Sequence, residues 1–197
     1  MKSLFFVTMI TLIAAACNNS STDSVEKADS TNKARIDSSA DTSNKTAIAA
    51  DKETSEFLVK ATDGGIMEVS LGNIAKTKGR NASVKKFGEM MIEDHEKANA
   101  KIKDLAAARH VEVPVRVSDD KADMIKKLNT KDGKDFDKAY IDMMVDDHKE
   151  DIKEFEDAGN KINDTEVKQF INSTLPVLRK HLDSCTAIQQ TLKNKGA

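Results

Sequence analysis

After residue 50, apolar residues recur at alternating spacings of three and four, the period of one helical face. Residues 54–78 place Phe57, Ala61, Gly64, Glu68, Leu71 and Ala75 on one stripe, with Gly79 as a stop and Asn81 positioned to cap the next helix. Residues 82–109 carry Val84, Phe87, Met91, His95, Ala98, Ile102 and Leu105. A stretch broken by Pro114 leads to a short helix at 119–129. Residues 134–158 repeat the pattern with Ile141, Met144, Val145, His148, Ile152 and Phe155, and Gly159 is the expected stop. Asp164 is positioned to cap a last helix at 165–194, striped by Val167, Ile171, Thr174, Leu178, His181, Leu182, Cys185, Ile188 and Leu192. Pro176 inside it predicts a kink.

Each long helix has one apolar and one charged face, so none is stable alone and four together bury their stripes in a bundle. No segment alternates with the period of a strand. Short connections make the first and second long helices, and the third and fourth, antiparallel hairpins. The stretch from Arg109 to Lys134 is long enough to cross a bundle roughly 40 Å in length. The sequence therefore predicts an all-α, ferritin-like four-helix bundle over residues 51–197, two hairpins joined by a long crossover that contains a short helix.

The first fifty residues have a different texture. Lys2 is followed by an apolar run at 4–13, then Ala14-Ala15-Ala16 and Cys17. The run is too short to span a bilayer, and small residues precede the cysteine. The pattern resembles the lipobox of bacterial lipoproteins, which implies a signal peptide at 1–16 and a lipidated Cys17. The alternative is an ordinary secretory signal cleaved among the alanines. Lipidation would anchor the domain to a membrane of the bacterial envelope, the outer membrane being the expected one, with the bundle in the periplasm or at the cell surface. Residues 17–50 are mostly Ser, Thr, Asn, Asp, Lys and Ala, and predict a disordered tether after the lipidated cysteine.

Composition narrows the function classes. The 197 residues carry a formal net charge of −2 with both signs interspersed, so no one-signed basic face for nucleic acid is expected. No Trp and one Tyr leave few stacking platforms. Of two cysteines, a lipidated Cys17 leaves Cys185 as the sole free thiol, and the core rather than a disulfide must hold the fold.

The chemistry lies with the histidines. His110 falls at the frayed end of the second helix, whereas His95, His148 and His181 each sit mid-helix on the apolar stripe of a different long helix. Glu68 occupies the matching position on the first. Aligned helices put these four residues in one core layer, although buried ionisable groups are costly unless paired or metal-bound. One reading is a hydrogen-bonded network that fixes register. The other is a transition-metal site, since imidazole and carboxylate suit Zn, Cu, Fe or Ni. Met91, Met144 and Cys185 lie one turn from the histidines as candidate soft ligands that would favour copper, or are simply core residues. Met90-Met91-Ile92-Glu93-Asp94-His95 is echoed by Met143-Met144-Val145-Asp146-Asp147-His148. Neighbours on a helix point apart, so the paired aspartates are not expected to add much. Ile92, Val145 and Leu178 stand three before the histidines, so the Glu-x-x-His motif of di-iron bundles is missing, as are metal-hydrolase motifs and phosphate loops. No catalytic residue is assigned. Gly64-Gly65 reads as a point of close helix packing or a bend.

Residues 61–72, reading Ala-Thr-Asp-Gly-Gly-Ile-Met-Glu-Val-Ser-Leu-Gly, resemble the first helix of the bacterial envelope family called domain of unknown function 4142. So do 87–99 with Asp94-His95, 136–148 from Phe136-Asp137-Lys138-Ala139-Tyr140 to His148, and 175–181 with Leu175-Pro176 and His181. The resemblance implies an exported, ferritin-like protein and brings no activity with it. The Met-rich Asp-His segments also resemble, over a short span, another uncharacterised family linked to copper handling. The sequence thus predicts a lipid-anchored, non-catalytic envelope accessory that binds an envelope protein partner or serves in stress tolerance. The alternative is a metal-binding protein using the mid-bundle layer.

Overall fold

Four amphipathic stripes become four long helices in the computed structural model, which describes residues 22–40 and 50–194. The described residues form six helices and no strand: α1 (Ser24–Ala40), α2 (Lys52–Lys78), α3 (Ala82–Ala108), α4 (Asp119–Asn129), α5 (Gly133–Lys161) and α6 (Thr165–Asn194). Asp51 caps α2 by accepting from the Thr54 N–H at 2.7 Å. Asn81 caps α3 through the Ser83 N–H, and Asp164 accepts from the Val167 N–H at the start of α6. These side chains satisfy amides that a helix leaves without partners in its first turn.

α2 packs mainly on α3 and α5 on α6, while α2 also lies against α5 and α3 against α6. α2 and α3 approach closely where Gly72 meets Gly88. A Cβ on Gly72 would come within 2.7 Å of the Gly88 carbonyl oxygen. The apolar stripes form two separate clusters. One gathers Met67, Leu71, Phe87, Met91, Phe136, Tyr140, Met144 and Cys185. The other gathers Phe57, Leu58, Ile102, Leu105, Phe155, Phe170, Ile171 and Leu178. On α3, α5 and α6 the break between them falls at His95, His148 and His181, and on α2 Glu68 follows Met67, the first member of its cluster.

Buried charges hold the connections. Asp137 on α5 accepts from the N–H groups of Arg80 and Asn81, fixing the turn between α2 and α3. Asp63 on α2 accepts from the backbone and hydroxyl of Ser118, which places the start of α4. Arg109, at the end of α3, makes a two-pronged contact to Asp164 and a further one to Glu166. The α5–α6 turn is thereby tied to the α2–α3 hairpin.

Two expectations are corrected. The stretch expected to be a disordered tether is helical over Ser24–Ala40 and packs on α2. Its attachment uses little apolar surface, which is why its composition hid it. Ala28 is buried, and Asn32 exchanges two hydrogen bonds with the backbone of Glu112, at 2.8 and 2.7 Å. The Asp23 carboxylate accepts from the Val25 N–H and from the Asp119 N–H at the head of α4, and that contact holds its pKa below the usual carboxylate value. Gly159 does not stop α5, which continues to Lys161 because Gly159 lies against Ile171 of α6 and stays packed. α6 runs through Pro176 as one helix. Cys17 and the segment before it lie outside the described residues. No helix among the described residues is long and apolar enough to cross a membrane.

Candidate metal centre

Glu68 on α2, His95 on α3, His148 on α5 and His181 on α6 meet in one layer, as the helix register predicts. All four are buried, with Glu68 2% exposed and His148 and His181 fully covered. His95 Nδ1 lies 2.7 Å from Glu68 Oε2, and His148 Nε2 lies 3.5 Å from Glu68 Oε1. His148 Nε2 faces His181 Nδ1 at 3.2 Å. One ring nitrogen from each histidine falls within 4.8 Å of the other two.

The outer hydrogen bonds decide where the protons sit. His148 Nδ1 is 3.0 Å from the Met144 carbonyl oxygen, which can only accept, so Nδ1 carries the hydrogen. His181 Nε2 is 3.0 Å from Asp94 Oδ2, again an acceptor, so Nε2 carries the hydrogen there. Both inner nitrogens are then lone pairs, and they point at each other across 3.2 Å with a carboxylate oxygen beside them. That arrangement calls for a cation between them, either a proton or a metal ion. The proton is disfavoured. Burial, with the neighbouring His95 and His181, pushes His148 down to about 3. Burial also pushes His181 and His95 down to about 4. Glu68 Oε2 and His95 Nδ1 share one hydrogen bond, with burial driving Glu68 well above the usual carboxylate value and His95 down. Where the hydrogen of that bond sits on Nδ1, His95 Nε2 is a buried lone pair with no partner among the described residues.

The geometry suits a transition ion. Bonds of about 2.0–2.1 Å place tetrahedral ligands about 3.3 Å apart, close to the 3.2 and 3.5 Å separations here. Each inner nitrogen is opposed by an acceptor on the far side of its ring, the arrangement that orients metal-binding imidazoles. Beside the layer lies a cavity of about 30 Å³ lined by Gly64, Gly65, Glu68, His95, Asn99 and Asp151 among others. It has room for a water or an ion and none for an organic substrate.

The candidate soft ligands fare differently. Met91 and Met144 are buried in the core, and Met144 contributes its carbonyl oxygen to His148. The Cys185 thiol donates to the Leu182 carbonyl, is pushed up to about 11 by burial, and stands outside the donor clusters. The donors that meet are nitrogen and oxygen. Sequence reasoning missed Asp94, Asp147 and Asp151. Asp94 does point away from His95, but it reaches His181 on another helix. The duplicated Asp-His dipeptide was the available signal, read along one helix rather than across two.

The fold and layer define an all-helical protein with a buried histidine–carboxylate centre between two apolar clusters. The chain belongs to the family described as domain of unknown function (DUF4142), which matches residues 37–188. The crystal structure of a DUF305 fragment from Deinococcus radiodurans is similar in fold, with a TM-score of 0.65 and 9% identity. That likeness covers 73% of this chain and 99% of the other. No curated protein matches the chain in sequence.

Proposed function

We propose that the protein is a transition-metal-binding bundle that holds one divalent ion between His95 Nε2, His148 Nε2 and His181 Nδ1, with Glu68 as the charge-balancing ligand. The observation that carries this is the pair of inward lone pairs on His148 and His181, 3.2 Å apart and each fixed by an acceptor behind it. Imidazole with carboxylate suits zinc or divalent copper. The small cavity supports holding an ion rather than converting a substrate. Two hairpins joined by the α3–α5 crossover carrying α4 support a ferritin-like arrangement. The small residues before Cys17 and the lipobox pattern support attachment to a bacterial envelope membrane by lipid. Cys17→Ser should then release the protein from the membrane fraction or leave its precursor uncleaved, and unchanged fractionation and processing would remove that part of the reading.

The metal reading is tested on the purified protein by metal analysis and thermal melting with added zinc or copper. One equivalent should bind and raise the melting temperature with concentration, as any ligand of the native state does. His95→Ala and His148→Ala should abolish both effects, and His181→Gln, which keeps most of the volume, should do the same in a protein whose helicity is unchanged. A protein that holds no metal and gains no stability from it would leave a non-catalytic accessory with a structural polar network.

A further inference from the structure

One turn along α5 from the histidines, Asp147, Asp151 and Glu154 occupy positions i, i+4 and i+7 and so share a face. Oxygens of Glu68, Asp147 and Asp151 and a nitrogen of His148 all lie within 4.8 Å of one another. This cluster is more than a patch of surface acid. Glu68 is 2% exposed, and its Oε1, which faces it, has no hydrogen-bond partner among the described residues. Asp147 Oδ2 and Glu154 Oε1 are buried atoms in the same condition, as is Asn99 Oδ1 across the cavity. Lys121 on α4 and Lys60 on α2 act on these carboxylates through space, with no direct ion pair. Burial raises Asp147 to about 6 and holds Asp151 well above the usual carboxylate value. The cavity gives the cluster open volume on its Gly64–Gly65 side, where a side chain on Gly65 would collide with Asn99.

We propose that Glu68, Asp147 and Asp151 form a second cation site next to the histidine centre, with Glu68 Oε1 facing both ions. This rests on the reading of the layer as a metal site. His148 has one inward nitrogen and serves the histidine centre, so the second ion takes carboxylate oxygens and water. Oxygen donors select a harder ion of the manganese or magnesium class. Trans ligands on such an ion stand about 4.2 Å apart at bonds of about 2.1 Å, so the cluster closes on it with small side-chain rotations.

The test uses manganese as the probe, because the resonance of free Mn²⁺ disappears from solution spectra on binding. Purified protein already saturated with zinc should take up one further equivalent of Mn²⁺. Asp151→Asn, with Asp151→Ala as a second variant, should lose that uptake at least tenfold in affinity while keeping its zinc. His181→Gln should lose zinc and keep manganese. Melting curves verify that each variant is folded, and removing a crowded carboxylate should not lower stability. Failure of the zinc-loaded protein to bind manganese, or manganese binding indifferent to both Asp151 variants, overturns the second site and leaves the histidine centre standing. Manganese binding lost in the Asp151 variants of a protein that takes no zinc would sustain the carboxylate site and remove the histidine centre.

Discussion

Glu68→Gln separates the two things Glu68 does. In the metal-free protein its Oε2 meets His95 Nδ1 at 2.7 Å and its Oε1 meets the His148 lone pair at 3.5 Å. Glutamine has the same shape. Its carbonyl accepts from His95 Nδ1–H, and its amide donates toward His148 Nε2, which has no donor facing it. It also removes a buried carboxyl. The metal-free variant should therefore melt within about 1 kcal/mol of the parent, in either direction. With an ion the two diverge, because an anionic ligand is gone. At a free metal concentration about 100 times Kd the parent gains about 2.7 kcal/mol. For a chain of this length that is about 5–11 °C in Tm. If the substitution weakens binding about 100-fold, the same concentration gives the variant about 0.4 kcal/mol, or about 1–2 °C. Paired melting curves with and without zinc, with copper as a second metal, read both quantities. A variant that keeps the parent's metal-induced shift refutes Glu68 as a ligand. One that loses more than about 3 kcal/mol without metal shows that its carboxylate holds the fold.

Three further expectations come from the packing and the charges. Asn32→Ala removes both hydrogen bonds to Glu112 and should release α1, costing about 1–2 kcal/mol locally; hydrogen exchange across Ser24–Ala40 should accelerate, and unchanged protection would show that Ala28 with the Asp23 and Arg35 contacts holds the helix without Asn32. Gly72→Ala should destabilise by about 1–2 kcal/mol, since overpacking against the Gly88 carbonyl exceeds the roughly 1 kcal/mol gained in helix propensity; Gly159→Ala, whose Cβ meets Ile171 at 3.4 Å, should be neutral or stabilising, and equal effects at the two sites would discount the close approach. In the pH profile of the metal-free protein two sets of groups should act in opposite directions over much of the same range. His95, His148 and His181 fall to about 3–4 from 6.5, so their contribution is present above pH 6.5 and is lost as pH falls through about 4. Glu68, Asp147 and Asp151 are raised, so theirs is present at low pH and is lost as pH rises, through about 6 for Asp147. Bound metal should add stability chiefly at the alkaline end, because it needs deprotonated ligands, and a metal-induced shift that does not vary with pH would contradict that.

The long helices and the layer were legible because both depend on period. Val84, Phe87, Met91 and His95 share a stripe whether or not the partner helices are known, and four mid-helix polar residues must meet in an aligned bundle. α1 was not legible. It has almost no stripe, and its attachment runs through Asn32 to the backbone of a residue far along the chain. Asp94 was missed for a related reason. Its role depends on which way α3 faces α6, a rotation that periodicity along one helix does not state. Gly159 misled because a glycine near a helix end need not stop it: Gly159 itself lies against Ile171 of α6, and the helix runs on to Lys161.

The division of the core into two clusters has a mechanical side. The covalent connections of this chain join helices at their ends, so each loop restrains the extremities and leaves the middle to side-chain packing. At the middle, packing gives way to Glu68, His95, His148 and His181, each from a different helix. An ion there cross-links all four helices at the waist, where the crossover touches α2 through Ser118 and Asp63. Without it, the turns on either side of the layer are where the bundle should breathe first. With it, the two apolar halves become one cooperative unit, so that exchange protection gained on metal binding should be greatest at mid-helix and fade toward the loops.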